Sequence, residues 1–138
     1  MHAVKALEVA QWWQEKPEGK WLSVIFSPQL GNSVNMSLGP VVLRPGVVSD
    51  EHTHLPGVEE IFIILRGQGR LKIGDEEAPV EAGMVISAEA NKPHRLTNAG
   101  DEVLVALWII APAGEEKRII DRWVPTDMRA ITGEPVTR

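Results

Sequence analysis

Residues 46–67 read GVVSDEHTHLPGVEEIFIILRG, and this stretch decides the fold of the chain. It contains His52 and His54, two residues apart, and the carboxylate Glu60, while a third histidine, His94, follows later. Imidazole and carboxylate groups are common protein ligands of first-row transition metals. Side chains two residues apart point to the same face of a β-strand but diverge on a helix. The pattern therefore predicts a metal site built on a β-sheet.

The spacing of these residues also predicts how the sheet bends. The five residues between His54 and Glu60 include a Pro-Gly pair, typical of a turn, so Glu60 is expected on a neighbouring strand. His94 is far enough along the chain to belong to a third strand. Side chains from three strands converge only where a sheet curls, as in a small β-barrel. The interior of such a barrel has room for one metal ion and one small ligand.

Composition limits the classes of protein to which the chain can belong. Its 138 residues are typical of one domain. It has no cysteine, which excludes disulfides, thiolate metal sites and a cysteine nucleophile. The formal net charge is −5, from 14 basic and 19 acidic residues, and there is no basic cluster. Nucleic acid is therefore not expected as a partner.

Hydropathy along the chain gives no reason to expect a membrane protein. The longest apolar runs cover residues 61–65 and 103–113, whereas a helix that spans a bilayer needs about 20 apolar residues. The first five residues lead into no sustained apolar stretch, so no signal peptide is expected. These observations predict a cytoplasmic protein that does not bind membranes.

Short apolar or alternating segments, separated by glycine and proline, predict an all-β protein. The expected strands cover residues 21–27, 35–43, 51–54, 60–65, 69–73, 78–80, 84–87, 94–97 and 103–110. Pro40 inside the second of them favours an edge strand or a bulge. Helices are expected for residues 5–16 and 114–123, and a loop or a surface arm for residues 124–138.

Two segments resemble the two sequence motifs of the cupin family. Residues 46–67 fit G-x5-H-x-H-x5-E-x6-G, which is similar to the first motif. Residues 83–98 fit G-x5-E-x-N-x2-H-x3-N, similar to the second motif, and residues 68–82 match the short loop between them. The resemblance implies a small antiparallel double-stranded β-helix, or jelly-roll barrel. We expect one cupin domain over residues 1–138, with the barrel core at about 21–112, an N-terminal segment 1–20 and a C-terminal arm 113–138.

The sequence departs from the family pattern at two places. The gap before the glutamate is one residue longer than usual, which leaves Glu59 as an alternative to Glu60. We favour Glu60 because its spacing to Gly67 fits the motif, and the extra residue can be accommodated in the Pro-Gly loop. In the second motif, Glu89 and Asn91 replace proline and glycine. Asparagine tolerates a positive φ, so Asn91 suits a turn. Neither departure removes a ligand.

The four predicted ligands, His52, His54, Glu60 and His94, suit one divalent transition metal per chain. Fe, Mn, Ni, Co and Zn all accept such nitrogen and oxygen donors. One anionic ligand leaves a formal site charge of about +1, which favours an anionic or chelating substrate. Four protein ligands leave two open positions on an octahedral metal, where a substrate chelates or binds beside dioxygen or water.

The resemblance implies several activities that the sequence does not separate. A dioxygenase acting on a small polar organic molecule is the first hypothesis. The alternatives are a metal-dependent isomerase, lyase or decarboxylase of a sugar-like acid, and a non-enzymatic protein that binds a small ligand. Family membership alone does not choose among these, because one fold supports many functions.

The side chains expected to line the barrel are mostly apolar. They are Met36, Phe62, Ile64, Leu96 and Trp108. The nearest basic candidates for holding a substrate carboxylate are Arg44, Arg66 and Lys72, although a solvated strand edge is the commoner place for such residues. The five tryptophans are assigned mainly to packing. Apolar terminal segments and exposed strand edges favour a homodimer.

Overall fold

The computed structural model of this protein describes residues 1–133. Its strands are β1 (Gln11–Glu15), β2 (Lys20–Leu22), β3 (Ser37–Leu43), β4 (Glu59–Arg66), β5 (Gln68–Ile73), β6 (Glu76–Glu81), β7 (Val85–Ala88), β8 (His94–Thr97), β9 (Leu104–Ala111) and β10 (Val124–Pro125). Its short helices are α1 (Lys117–Ile120) and α2 (Met128–Thr132), with 3-10 turns at Ala6–Glu8 and Pro28–Leu30. No helix of the described chain is long and apolar enough to cross a membrane.

The strands form two antiparallel sheets. The larger sheet has the order β10-β1-β2-β3-β9-β4-β7, and the smaller one has the order β6-β5-β8. The longest pairings join β3 to β9 and β9 to β4, so these three strands form the centre of the larger sheet. The predicted all-β, jelly-roll architecture is confirmed.

The core lies between the two sheets. Buried side chains of the larger sheet, such as Leu43 and Leu104, share one cluster with Leu71 and Leu96 of the smaller sheet. Strand β4 shows why the site faces this core. Glu60, Phe62 and Ile64 alternate with less buried neighbours, as expected where one face of a strand is buried. The inner face of β4 therefore carries a carboxylate into the apolar interior.

A second apolar cluster covers the opposite face of the larger sheet. It contains Trp12, Trp21, Val42, Val105 and Met128. Met128 belongs to α2 and is 1% exposed, so the C-terminal segment packs on the body of the protein. The surface arm predicted for residues 124–138 thus lies on the body through residue 133, but it contains a short helix that the sequence did not indicate. Residues 134–138 of that arm lie outside the described residues.

The helix predicted for residues 5–16 is wrong. The chain forms the 3-10 turn Ala6–Glu8 and then strand β1. Trp12 joins the outer cluster, whereas Trp13 packs against the inner one. Adjacent side chains point to opposite faces of a strand, so pairing with β2 places one tryptophan on each side of the sheet. Of residues 114–123, where the sequence also predicts a helix, only Lys117–Ile120 are helical, as α1.

Pro40 lies in an interior strand, so the edge position expected from the sequence is wrong. Strand β3 is flanked by β2 and β9, and its register with β9 shows no shift. The Pro40 carbonyl accepts a hydrogen bond from the Ser23 N–H (3.1 Å), just beyond the end of β2. The proline, which has no N–H to donate, therefore takes part in this pairing through its carbonyl.

Candidate metal centre

Four side chains converge at one end of the core. They are His52 and His54 in the β3–β4 loop, Glu60 on β4 and His94 on β8, and their ligand atoms lie within 4.8 Å of one another. The backbones of His52 and His94 pair through two hydrogen bonds, His52 N to His94 O (3.1 Å) and His94 N to His52 O (2.9 Å). The strand expected over residues 51–54 is reduced to this one bridge. The structure therefore brings together the four residues that the sequence predicts as metal ligands.

One oxygen of Glu60 is the meeting point of the three imidazoles. Its Oε2 atom lies 2.8 Å from His54 Nε2, 2.6 Å from His94 Nε2 and 3.9 Å from His52 Nε2. Glu60 and His94 are 5% and 2% exposed. A buried carboxylate with such neighbours is stable only when positive charge or hydrogen bonds compensate for its loss of water.

The other nitrogen of each imidazole is held by a hydrogen-bond acceptor. His52 Nδ1 donates to the Asp50 carbonyl (3.2 Å), and His94 Nδ1 donates to the Lys92 carbonyl (3.0 Å). His54 Nδ1 donates to Glu115 Oε2 (2.9 Å). Such contacts fix the imidazole tautomer and orientation around protein-bound metals. Each Nε2 atom therefore points toward the shared centre.

The donor set fits a metal cation. A carbonyl only accepts hydrogen bonds, so Nδ1 carries the proton in His52 and His94. In the neutral imidazole, Nε2 then presents a lone pair. In His94 this lone pair faces the lone pairs of the Glu60 carboxylate, 2.6 Å away. Two lone pairs at this distance require a proton or a cation between them. Three imidazoles and one carboxylate are a donor set that divalent transition metals accept.

The pKa values of these groups reflect competition between burial and charge. Burial lowers the pKa of His52 below its ordinary value. Burial also opposes the charge of His54, but the carboxylates of Glu60 and Glu115 outweigh it and raise the pKa of His54. Burial favours neutral Glu60, yet hydrogen bonds from His54 and His94 prevail and lower the pKa of Glu60 to about 2. Glu60 therefore remains ionised throughout the neutral pH range.

The structure distinguishes Glu60 from Glu59, the alternative that the longer gap in the first motif left open. Glu60 is buried and faces the three histidines, whereas Glu59 is exposed on the other face of β4. The extra residue of the first motif is accommodated in the 55–58 turn, which the Val58 N–H closes by donating to the Leu55 carbonyl (3.1 Å). Asn91 adopts φ 66°, as expected of the residue that replaces glycine in the second motif.

A cavity of about 290 Å³ extends from the cluster into the core. Three of the five predicted lining residues, Phe62, Leu96 and Trp108, line it. The predictions for Met36 and Ile64 are not matched by the structure. Met36 precedes β3 and is 47% exposed. Ile64 shares the inner face with Glu60 but belongs to the core beyond the cavity.

The three basic residues named from the sequence have other partners. Arg44 lies over the ring of Trp21. Arg66 donates to Glu102 and to the Thr132 carbonyl, and Lys72 pairs with Glu51 at 2.8 Å. None of the three lines the cavity, so these residues do not provide the carboxylate-binding group sought in the sequence.

Sequence reasoning missed the charged groups that do line the cavity. They are Glu15, Lys20, Asp50, Glu115, Glu116 and Arg118. Lys20 and Glu15 lie opposite each other in the β1–β2 hairpin. Sequence reasoning missed this hairpin because it predicted a helix over residues 5–16. A usable signal was present, because Pro17 and Gly19 lie between the two charged residues and are typical of a turn.

Comparisons with known proteins identify the family and the fold of the chain. A sequence model of the cupin domain matches residues 40–110, which include all four clustered residues. An uncharacterized protein of Methanocaldococcus jannaschii is 28% identical over 90 residues, 65% of this chain and 71% of that protein. A crystal structure from Thermus thermophilus is 28% identical, with a TM-score of 0.57, over 66% of this chain and 83% of that one. A predicted oxalate decarboxylase from Thermotoga maritima is 22% identical, with a TM-score of 0.67, over 81% of this chain and 100% of that one.

Proposed function

Because the chain belongs to the cupin family, we propose that it is a mononuclear-metal enzyme, a dioxygenase, that acts on a small polar or chelating organic molecule. One observation carries the proposal. The Nε2 atoms of three oriented histidines and a carboxylate oxygen converge beside a cavity of about 290 Å³, which His52, His54 and Glu60 line. That volume is near the lower end for ligand sites, roughly 300–1,000 Å³, so it suits a small molecule.

Each of the four residues has a role in this proposal. His52, His54 and His94 would hold one divalent metal through Nε2, and Glu60 would supply the single negative charge. Fe, Mn, Ni, Co and Zn all suit the donor set. A metal bound there supplies Lewis acidity and open coordination positions. The carbonyls of Asp50 and Lys92 keep two of the imidazoles in the ligating tautomer.

The cavity walls favour a substrate with an apolar part. Leu22, Leu43, Phe62, Leu96 and Trp108 surround the space next to the cluster. Apolar walls exclude water and strengthen electrostatic interactions inside the site. They also orient the substrate, so that its chelating end reaches the four clustered residues. Small organic molecules with a planar or hydrocarbon part and two neighbouring oxygen atoms fit both requirements.

A metal-dependent isomerase, lyase or decarboxylase is the second candidate. The observation in its favour is the set of charged side chains on the cavity wall, including Lys20 and Glu116. Such groups donate or accept protons in reactions that need no dioxygen. The third function considered from the sequence, non-enzymatic binding of a small ligand, requires the same pocket but no turnover.

Metal analysis and dioxygen uptake separate these functions. The protein is purified anaerobically, its metal content is measured, and oxygen consumption is followed with catechols, diketones and sugar acids. The proposal expects one Fe per chain and substrate-dependent oxygen uptake, both abolished in His94→Ala. Turnover with bound Mn, Ni or Zn and no oxygen uptake supports the second candidate. Metal-dependent ligand retention without turnover supports a binding protein, and wild-type metal content in His52→Ala and His94→Ala contradicts the site itself.

We also propose that the protein is a cytoplasmic homodimer. Strands β7 and β10 end the larger sheet, and Val85 and Val124 on them are 65% and 52% exposed. Exposed apolar edge strands favour pairing with a second copy. Light scattering tests the dimer, with a monomer mass contradicting it, and cell fractionation tests the location.

A further inference from the structure

A lysine is buried in the wall of the cavity that reaches the metal centre. Lys20 is 5% exposed and lines the same cavity as His52, His54 and Glu60. Lysine is rarely buried to this extent, because removing an ammonium group from water is costly unless it is compensated. The burial of Lys20 beside a cavity therefore suggests that its charge has a role in that cavity.

The position of Lys20 follows from the hairpin of β1 and β2. Glu15 and Lys20 are directly opposite in the antiparallel register, and so are Trp13 and Leu22. Leu22 and Trp13 pack against the inner cluster, while Trp21, between Lys20 and Leu22, faces the outer one. By alternation, Lys20 and Glu15 project to the inner face, where both line the cavity.

Two cations share one carboxylate on this wall. Lys20 Nζ lies 2.5 Å from Glu15 Oε2, and Arg118 Nη1 lies 3.5 Å from Glu15 Oε1. The group of Glu15, Lys20 and Arg118 therefore carries one excess positive charge. An ammonium group has three donors. Within the described residues Lys20 Nζ makes no contact with another acceptor besides Glu15, so donors remain for a ligand.

A further carboxylate, Glu116, lies on the same wall, and its Oε1 atom is buried with no hydrogen-bond partner among the described residues. Its Oε2 atom accepts a hydrogen bond from the Gly114 N–H (2.7 Å) at the start of the α1 segment. Apolar side chains, among them Leu22, Leu43 and Phe62, line the same cavity. The cavity thus offers a cation-binding cluster, apolar side chains, and a group of Glu15, Lys20 and Arg118 with one excess positive charge.

We propose that Lys20 is a second ligand anchor, which binds a carboxylate of the molecule whose other end reaches the metal cluster. The inference rests on the proposed metal-dependent function and narrows its substrate class. The ligand is a small organic acid with a chelating group, an apolar spacer and a carboxylate. Lys20 donates a charge-assisted hydrogen bond to the carboxylate. Arg118, which also pairs with Glu15, keeps that glutamate from neutralising the lysine completely.

Chain-length dependence of binding tests this anchor. Zn(II)-loaded protein is titrated calorimetrically with malonate, succinate, glutarate and adipate, and with the monocarboxylate and the diol of each chain length. One dicarboxylate is expected to bind about tenfold more tightly than its matched monocarboxylate, because only it makes the second charge-assisted bond. Lys20→Met is expected to remove this advantage while Zn(II) content stays at the wild-type level.

Two further variants make the result decisive. Lys72→Met removes an accessible lysine, paired with Glu51, that does not line the cavity, and it should retain the dicarboxylate preference. The double variant Glu15→Gln/Lys20→Met avoids an uncompensated buried carboxylate if the single variant folds poorly, and it should also lose the preference. A preference that persists in both Lys20 variants overturns the proposal, as does equal binding of the diol, which would identify Glu116 as the anchor.

A metal-free arm separates failure of the anchor from failure of the metal-dependent function. If the wild-type protein takes up no Zn(II), the proposed function fails, but Lys20 is still expected to bind butyrate weakly in the wild-type protein. That binding should be lost in Lys20→Met and retained in Lys72→Met. Metal uptake without any dependence of carboxylate binding on Lys20 leaves the function standing and rejects the anchor.

Discussion

At the scale of the residue, the contact between Glu115 and His54 ties the C-terminal segment to the metal centre. Glu115 Oε2 accepts the Nδ1 proton of His54 at 2.9 Å, so it orients the imidazole whose Nε2 faces Glu60. Loss of such an outer contact typically weakens metal binding about 10–100-fold. We expect Glu115→Gln to weaken Zn(II) binding by about that factor in competition with a chromophoric chelator. Glu59→Gln, which alters an exposed carboxylate on the same strand as Glu60, should leave the affinity unchanged.

The charge on Glu60 should also govern the stability of the metal-free protein. Its pKa is lowered from 4.5 to about 2, so its contribution is complete above pH 4.5 and is lost as the pH falls toward 2. The pKa of His54 is raised above 6.5, so the contribution of that pair is complete below pH 6.5 and declines at higher pH. Between these limits both groups are charged.

We therefore expect Glu60→Gln to destabilise the chelator-treated protein most near pH 5.5. The loss there should be about 2 kcal/mol, the range for a hydrogen bond to a charged group, and smaller at pH 3 and pH 8. Urea unfolding at the three pH values measures it. If the loss of unfolding free energy in Glu60→Gln does not change with pH, or equals the loss in Glu59→Gln, the buried ion pair does not form without metal.

At the scale of the element, β3 depends on one glycine. A Cβ atom at Gly39 would lie 1.8 Å from the Ser23 carbonyl oxygen and 2.8 Å from the Trp108 ring. The backbone of residue 23 cannot retreat easily, because its N–H donates to the Pro40 carbonyl. We expect Gly39→Ala to cost about 3 kcal/mol or more, at the upper end for overpacking, and to disturb the cavity wall formed by Trp108. Thermal unfolding measures the loss.

Gly100→Ala is the matched control for that substitution. A Cβ atom at Gly100 would lie 3.0 Å from Gln68 Cγ, part of a flexible side chain, and 3.2 Å from the Gln68 carbonyl oxygen, both far longer than the 1.8 Å contact at Gly39. It should lower the unfolding free energy by less than about 1 kcal/mol, as most surface substitutions do. Equal losses for Gly39→Ala and Gly100→Ala would mean that the approach of residue 23 to β3 is not tight.

An element was predictable from the sequence where its pattern of apolar residues fits the strand pairing in the structure. The hairpin of β1 and β2 was not predictable in this way. In β4, alternation and the spacing to Gly67 both indicated that Glu60 faces inward, and it does. In residues 5–16, apolar positions also fitted a helical stripe, but the segment pairs with Lys20–Leu22 and with β10 as a strand. Pro17 and Gly19 indicate the turn of this hairpin, but the pairing of β2 with β3, which is distant in sequence, places Lys20 and Glu15 at the cavity.

At the scale of the whole molecule, the larger sheet separates two apolar clusters that should have separable roles. The inner cluster includes Phe62, Leu96 and Trp108, which line the cavity next to the proposed metal ligands. The outer cluster includes Trp12 and Met128, and no member of it lines that cavity. Well-separated sites usually contribute additively to stability, so the outer cluster should stabilise the fold without tuning the site.

Met128→Ala tests this separation. Met128 is 1% exposed, and truncating a buried methionine costs about 2–5 kcal/mol. We expect a lower midpoint in urea unfolding together with a Zn(II) affinity within about twofold of the wild-type value, the opposite of the result expected for Glu115→Gln. Met128 and Glu115 both belong to the segment after β9, so the two variants compare two contacts of one segment. A large loss of metal affinity in folded Met128→Ala would instead show that the packing of α2 on the outer face is transmitted through the sheet to the cluster.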